Sequence, residues 1–360
     1  MSVSKRTFKL LAWLSTFALV FVAIACNNNG GGGSGTTSVS LTGAGATFPN
    51  PLYQKWLSEY SKLHPNVKID YQSIGSGGGI KQIKEQTVDF GASDAPMKDE
   101  ELKSAPAEIL HIPTVLGAVV ITYNLTGISK PLQFSPEVIA DIYLGKIKKW
   151  NDPKITADNP GVTLPAADIT VVHRSEGSGT SAVFTDYLSK VSAEWKEKVG
   201  AGASPSWPVG QGGKGNEGVT GQVKQTPNTI GYVELAYAVQ NNLPAAHVKN
   251  ASGNFIEPSI DSVIAAAADS ATSTPEDLRV SITNAPGAKS YPISSYTYLL
   301  IYKNQKDAGK GKALVDFVWW GIHDGEGFAK DLRYAPLPDD IVKRAEAKIN
   351  SITANGTALR

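Results

Sequence analysis

Apolar and polar positions along the chain follow a short repeated plan: strand-like alternation, a turn rich in Gly, Ser or Thr, then helical spacing. Val39-Ser40-Leu41-Thr42 alternates and runs into Gly43-Ala44-Gly45-Ala46-Thr47-Phe48-Pro49, after which Leu52, Tyr53, Trp56, Leu57, Tyr60 and Leu63 mark one face of a helix. Val67, Ile69 and Tyr71 alternate again before Gly75-Ser76-Gly77-Gly78-Gly79 and a helix carrying Ile80 and Ile83. Val88-Asp89-Phe90 opens a third strand, which delivers Gly91-Ala92-Ser93-Asp94-Ala95-Pro96 at its end. This order predicts a mostly parallel sheet with helices on its faces.

The rest of the chain continues in kind. Ile112 to Ile121 is uninterruptedly apolar, as expected of a strand buried on both faces or of a connection passing between lobes. Ser135-Pro136-Glu137 is a helix start, and that helix runs to about Leu144. Ile169 to Val172 reads as a strand and Ala182 to Val191 as a helix; the Gly-, Pro- and Trp-rich region 200–218 reads as a long irregular loop. Ile230 to Val233 is strand-like, Ser259 to Ala268 helical, Tyr291 to Tyr302 β-rich, and Ala313 to Ile322 and Asp340 to Ile349 helical. At 360 residues the chain exceeds one comfortable core and predicts two lobes.

One stretch concentrates the chemistry. In Val171-Val172-His173-Arg174-Ser175-Glu176-Gly177-Ser178-Gly179-Thr180-Ser181 a β-branched run stops, an arginine appears, and a Gly/Ser/Thr turn opens a helix. Outward-facing N–H groups of a first helical turn, hydroxyls and a guanidinium suit an anion; the same residues also suit an ordinary capped helix. Both readings stand at this level.

Composition narrows the field. Lys and Arg number 34 against 33 Asp and Glu, and without Lys5, Arg6 and Lys9 the balance is 31 against 33, a net of −2. A nucleic-acid partner, which calls for a basic excess, is therefore not expected. Those three basic residues precede the apolar run Leu10 to Ala25, so 1–25 reads as an export signal. Cys26, the single cysteine, follows directly, and a Gly/Ser-type tether fills 26–38. This junction resembles a bacterial lipoprotein signal, with Ala23 where leucine is usual, and implies a lipidated Cys26 and a periplasmic or cell-surface protein.

Enzyme motifs are weak. Gly43 to Phe48 begins like a dinucleotide fingerprint but has Phe48 at the third small position; Gly210-Gln211-Gly212-Gly213-Lys214-Gly215 matches GxGxxG without the preceding strand of a βαβ unit. Ser178 lacks the GxSxG elbow, and the five histidines show no metal spacing, so neither a catalytic residue nor a metal or cofactor is assigned. A phosphoesterase with Ser178 as nucleophile requires the fold to bring a base to it. Asp94 reads as a turn former; beside an anion a carboxylate repels, unless the anion carries a proton for it to accept.

Taken together, Leu41 to Pro49, Asp89 to Pro96, Asp141-Ile142-Tyr143-Leu144-Gly145-Lys146-Ile147, Gly177 to Ser181 and Gly212 to Asn216 resemble the phosphate-binding proteins of bacterial high-affinity phosphate ABC transporters. The resemblance runs in order from about Val39 to the end. It implies an α/β periplasmic-binding-protein fold of type II: two α/β lobes, a ligand cleft, and two crossover hinge segments near Pro113 to Gly117 and Tyr291 to Ser295. Lobe I would comprise 39–114 and 293–360, lobe II 115–292. It implies that phosphate is held by Thr47, Phe48, Ser76, Arg174, Ser178, Gly179 and Thr180 as donors and Asp94 as acceptor, with Glu176, where the family often has aspartate, supporting the arginine. The implied partners are inorganic phosphate and the permease subunits of an inner-membrane ABC transporter, the protein itself being a monomer and not an enzyme. The competing readings are a secreted phosphoesterase using the same cradle and a binding protein for another protonated tetrahedral oxyanion such as arsenate.

Overall fold

The structure, a computed structural model, describes residues 38–128 and 130–360. The export signal, Cys26 and all but the last residue of the expected tether lie outside the described residues. No helix among the described residues is long and apolar enough to cross a membrane.

The main sheet has eight strands: β1 (Val39–Gly45), β2 (Val67–Ser73), β3 (Phe90–Ser93), β4 (Ile109–Asn124), β5 (Thr170–Arg174), β6 (Gln211–Gly213), β7 (Thr229–Glu234) and β8 (Ser294–Tyr302). Their spatial order is β2-β1-β3-β8-β4-β7-β5-β6. On one flank β1 runs parallel to β2 and β3, and on the other β5 runs parallel to β6 and β7. The expected parallel plan thus describes each flank. The centre departs from it: β8 is antiparallel to β3 and β4, and β4 is antiparallel to β7.

β4 explains how the flanks join. Ile109 to Ala118 pair with β8, whereas Val119 to Asn124 pair with β7, so the strand changes partner between Ala118 and Val119. The apolar run is a strand buried along nearly its whole length, and its change of partner joins the two flanks of the sheet. The returning chain crosses beside it, with the Val119 N–H donating to the Ile293 carbonyl at 2.8 Å. Pro113 has no N–H to give a ladder, and the register of β8 against β4 shifts between Thr297 and Tyr298, where Tyr298 pairs with Pro113.

The principal helices packed around the sheet are α1 (Asn50–Leu63), α2 (Ser76–Lys84), α3 (Pro136–Tyr143), α4 (Gly179–Val191), α5 (Gly215–Gln225), α6 (Leu235–Gln240), α7 (Ile260–Ser270), α8 (Ala308–Gly321) and α9 (Asp339–Asn350). One expectation fails here. The region 200–218 is not all irregular: it contains β6 and the first turn of α5. Glycines at 215, 218 and 221 hide the helix, but Val219 and Val223, four apart, bury fully against Gly231 of β7, whose missing side chain leaves room for both. The GxGxxG match dissolves with it, since three of its residues form β6 itself.

Each flank has its own aromatic core. On one side Tyr53, Trp56 and Tyr60 of α1 pack with Phe317 and Trp320 of α8. On the other, Tyr143, Phe184, Trp207 and Tyr232 pack together, with the Tyr232 hydroxyl reaching the Arg174 N–H. Such side chains, each burying 150–250 Å² in general, fix the strand ends between which the candidate site lies.

Candidate functional site

Four helices begin at one place. β1 leads through Thr47 and Phe48 into α1, Gly75 (φ 92°) turns the chain from β2 into α2, β5 leads through Ser178 into α4, and β6 leads into α5. Their starts are in direct contact across the flanks. The Gly77 N–H donates to the Gly177 carbonyl at 2.9 Å, and the Asn216 side chain reaches Thr47 at 2.7 Å. A Cβ on Gly179 would stand 2.4 Å from Ser76 Oγ and 2.5 Å from Asp94 Oδ2, so only glycine permits this approach. First-turn N–H groups have no partner inside their own helix and carry the positive end of its dipole. Thr47, Phe48, Ser76, Asp94, Arg174, Ser178, Gly179 and Thr180 are all buried, at or beside these helix starts, and Glu176 stands half-buried against Arg174.

Both readings of the turn at Ser178 are compatible. Its hydroxyl oxygen caps α4 by accepting from the Ser181 N–H at 3.0 Å, which leaves its own O–H proton uncommitted. Thr47, Ser76 and Thr180 behave alike: each hydroxyl oxygen accepts from an N–H, of Asn216, Asp94 and Arg174 respectively.

Arg174 is 2% exposed and would be costly if unpaired. Glu176 Oε1 accepts from its Nε at 3.0 Å and also from its second terminal nitrogen, while the first terminal nitrogen donates to Thr180 Oγ1 at 3.2 Å. A guanidinium has five N–H donors; with three engaged, two remain for an anion. Glu176 uses one oxygen only, because Oε1 also takes the Gly215 N–H at 3.0 Å and Oε2 is buried without a partner. The longer acid thus holds the arginine side-on, not as a two-oxygen fork, and ties it to the start of α5. Behind them the Tyr232 hydroxyl accepts from the Arg174 N–H at 3.1 Å and pairs with Ser181 Oγ at 2.6 Å.

Asp94 is the odd member of a donor-lined site. It is 1% exposed; Oδ1 accepts from Thr297 Oγ1 at 2.9 Å, and Oδ2 is buried with no hydrogen-bond partner. Burial pushes the carboxyl up to about 7, against the opposing pull of the Thr297 hydrogen bond, the Arg174 charge and Ser76. The unpartnered oxygen faces Gly179, toward the uncommitted donors of α4. Glu234, the last residue of β7, is fully buried, and desolvation raises it well above the usual carboxylate range.

Sequence reasoning missed several supporting residues. Thr297, and Ser295 whose Oγ donates to the Asp94 carbonyl at 3.0 Å, are polar side chains in a fully buried strand rich in Tyr, Leu and Ile, which was the available signal. Asn216 stood within a quoted motif but carried no role. Tyr237 donates to the Thr47 carbonyl at 2.6 Å, and nothing in the pattern of α6 marks it. Among the described residues no cluster of His, Cys, Asp and Glu is arranged to hold a metal.

The chain is similar to known proteins over most of its length. Residues 31–319 match the PBP superfamily domain. The phosphate-binding protein PstS of Xylella fastidiosa (strain 9a5c) is 48% identical over 311 residues, covering 86% of this chain and 85% of its own. The protein of the same name from Pasteurella multocida (strain Pm70) is 46% identical over 347 residues, covering 96% of each. The crystal structure of the phosphate binding protein from Stenotrophomonas maltophilia superposes with a TM-score of 0.66 at 21% identity, covering 88% of this chain and 96% of that one, a likeness of fold. Relatives this similar over nearly their whole length, with the matching family model, place it plainly: the chain belongs to the PstS family of phosphate-binding proteins, within the PBP superfamily.

Proposed function

We propose that the chain is an exported capture protein that binds inorganic phosphate between its two lobes, closes over it, and presents it to the permease of an ABC transporter. Thr47, Phe48, Ser76, Arg174, Ser178, Gly179 and Thr180 donate to the oxyanion, Asp94 accepts from it, and Glu176 holds Arg174. The observation that carries this reading is the buried, unpartnered Oδ2 of Asp94 in a site otherwise made of donors. Phosphate near neutral pH keeps at least one proton and offers an O–H to that oxygen. Sulfate is fully ionised and offers none, so the same carboxylate repels it. Arsenate carries the same proton, and Asp94 does not separate it from phosphate.

The partner change of β4 at Ala118 and Val119 supports lobe boundaries near those read from the sequence, with lobe I from 39–114 and 293–360 and lobe II from 115–292. Anchoring through a lipidated Cys26 fits the same role. The phosphoesterase reading is weaker: the Ser178 oxygen is engaged as a helix cap, and among the described residues no titratable base is hydrogen-bonded to it.

Equilibrium dialysis against inorganic phosphate, with hydrolysis of a chromogenic phosphate ester measured on the same sample, tests the reading. One phosphate retained per chain with no turnover is expected. Failure to retain phosphate, or turnover lost in Ser178→Ala, overturns it.

A further inference from the structure

We infer that Asn216 is a positioning residue that aims the Thr47 and Thr180 hydroxyl protons at the bound anion. The inference rests on the phosphate reading above and concerns a residue to which that reading gives no part.

The orientation of the Asn216 amide is fixed by its surroundings. The Glu234 N–H donates to Oδ1 at 2.9 Å, so Nδ2 must face the other way. There it donates to Thr47 Oγ1 at 2.7 Å and to Thr180 Oγ1 at 3.2 Å. The Asn216 backbone N–H adds a second donor to Thr47 Oγ1 at 3.1 Å, and Arg174 adds a second donor to Thr180 Oγ1 at 3.2 Å.

A hydroxyl has two lone pairs and one proton. Both oxygens receive two N–H donors, so their acceptor capacity is filled and each retains only an O–H. A threonine hydroxyl ordinarily rotates among several partners, giving its proton to whichever acceptor is nearest. Here the rotation is used up by four incoming N–H groups, three of them from Asn216, and both protons are left for a ligand. Asn216 itself is fully buried and has every hydrogen-bonding group engaged, so it cannot touch the ligand with an uncommitted donor of its own. Its effect passes through the two threonines.

The arrangement also depends on closure. Asn216 opens α5, which packs on β5, β6 and β7, while Thr47 follows β1 on the opposite flank. The Thr47 proton is therefore aimed only when the flanks meet, whereas the Thr180 proton is aimed within one flank.

A double-mutant cycle tests this. Phosphate affinity is measured by calorimetry for the unaltered chain, Asn216→Ala, Thr47→Val/Thr180→Val, and the triple variant. Binding by the unaltered chain stands or falls with the phosphate reading alone, which keeps the two failures apart. Asn216→Ala is expected to weaken binding on the order of ten- to a hundredfold through loss of two aimed donors. In the Thr47→Val/Thr180→Val background the same change is expected to matter less than about threefold, because its targets are gone. Equal losses in both backgrounds would mean that Asn216 serves only to anchor Glu234, and overturn the inference. Should Asn216→Ala fail to fold, Asn216→Asp takes its place: it keeps the shape and the Oδ1 acceptor for Glu234 but has no side-chain donor. Its loss must likewise shrink at least about threefold in the valine background, or the inference is wrong.

Discussion

Replacing Asp94 by Asn isolates the proposed source of specificity. The amide keeps the carboxylate's shape, so Oδ1 retains the Thr297 hydroxyl at 2.9 Å, while Nδ2 occupies the place of the unpartnered, buried Oδ2. An acceptor facing the anion becomes a donor. For sulfate, a buried carboxylate opposite an oxygen without hydrogen costs on the order of 2 to 5 kcal/mol, and the change removes that cost. At about 1.4 kcal/mol per factor of ten, sulfate affinity is predicted to rise between roughly 30-fold and several thousandfold. Phosphate loses a charge-assisted hydrogen bond worth about 1.5 to 3 kcal/mol and gains a neutral one worth about 0.5 to 1.5, a net loss of roughly tenfold. The assay is isothermal calorimetry of Asp94→Asn and the unaltered protein with each anion at matched ionic strength and pH 8. A variant that still rejects sulfate as strongly as its parent would refute the reasoning and move discrimination to another residue.

The titration of Asp94 gives a second test. Its carboxyl is raised to about 7 in the closed site, so closing over sulfate takes up a proton. Sulfate affinity should therefore strengthen as pH falls below 7, by up to about tenfold per unit, while phosphate, which brings its own proton, changes less; a pH-independent sulfate constant contradicts this. Gly179→Ala places a methyl 2.4 Å from Ser76 Oγ and 2.5 Å from Asp94 Oδ2, both on the other flank. Closure is predicted to fail and phosphate affinity to drop more than about a hundredfold, since the displaced groups are themselves proposed ligands; small-angle scattering should show no compaction on adding phosphate. Tyr237→Phe removes a 2.6 Å hydrogen bond to the Thr47 carbonyl, worth about 1 kcal/mol, and should speed phosphate release roughly fivefold in stopped flow with little change in association.

Much of this could be read from the chain, for identifiable reasons. Strand-turn-helix units show themselves because hydrophobic period switches from two to 3.6 at glycine turns, and the proposed ligand groups sit at those switches. Arg174, Ser178 and Thr180 were legible because they lie within one turn. Strand direction at the sheet centre was not: β8 lies beside β4 only because some 170 intervening residues return there, and no local pattern encodes that. α5 was hidden by three glycines of low helical propensity, tolerated because Val219 and Val223 pack on β7. Asn216 and Thr297 were missed for a shared reason. Each acts through a hydrogen bond to a residue far along the chain, Asn216 to Thr47 and Thr297 to Asp94, and such a bond leaves no mark in spacing. Glu176 was legible as the arginine's partner, but its one-oxygen grip depends on Gly215, a contact across two strands.

The central claim is that one buried acceptor among donors selects a protonated oxyanion. The most direct measurement is displacement of bound radiolabelled phosphate from the unaltered protein by unlabelled sulfate at pH 8, with chloride holding ionic strength constant. The account predicts that phosphate stays bound at sulfate concentrations at least about thirtyfold above those at which unlabelled phosphate displaces it, the lower end of the cost of an unpaired buried charge. Displacement by sulfate and phosphate at equal concentrations would contradict it.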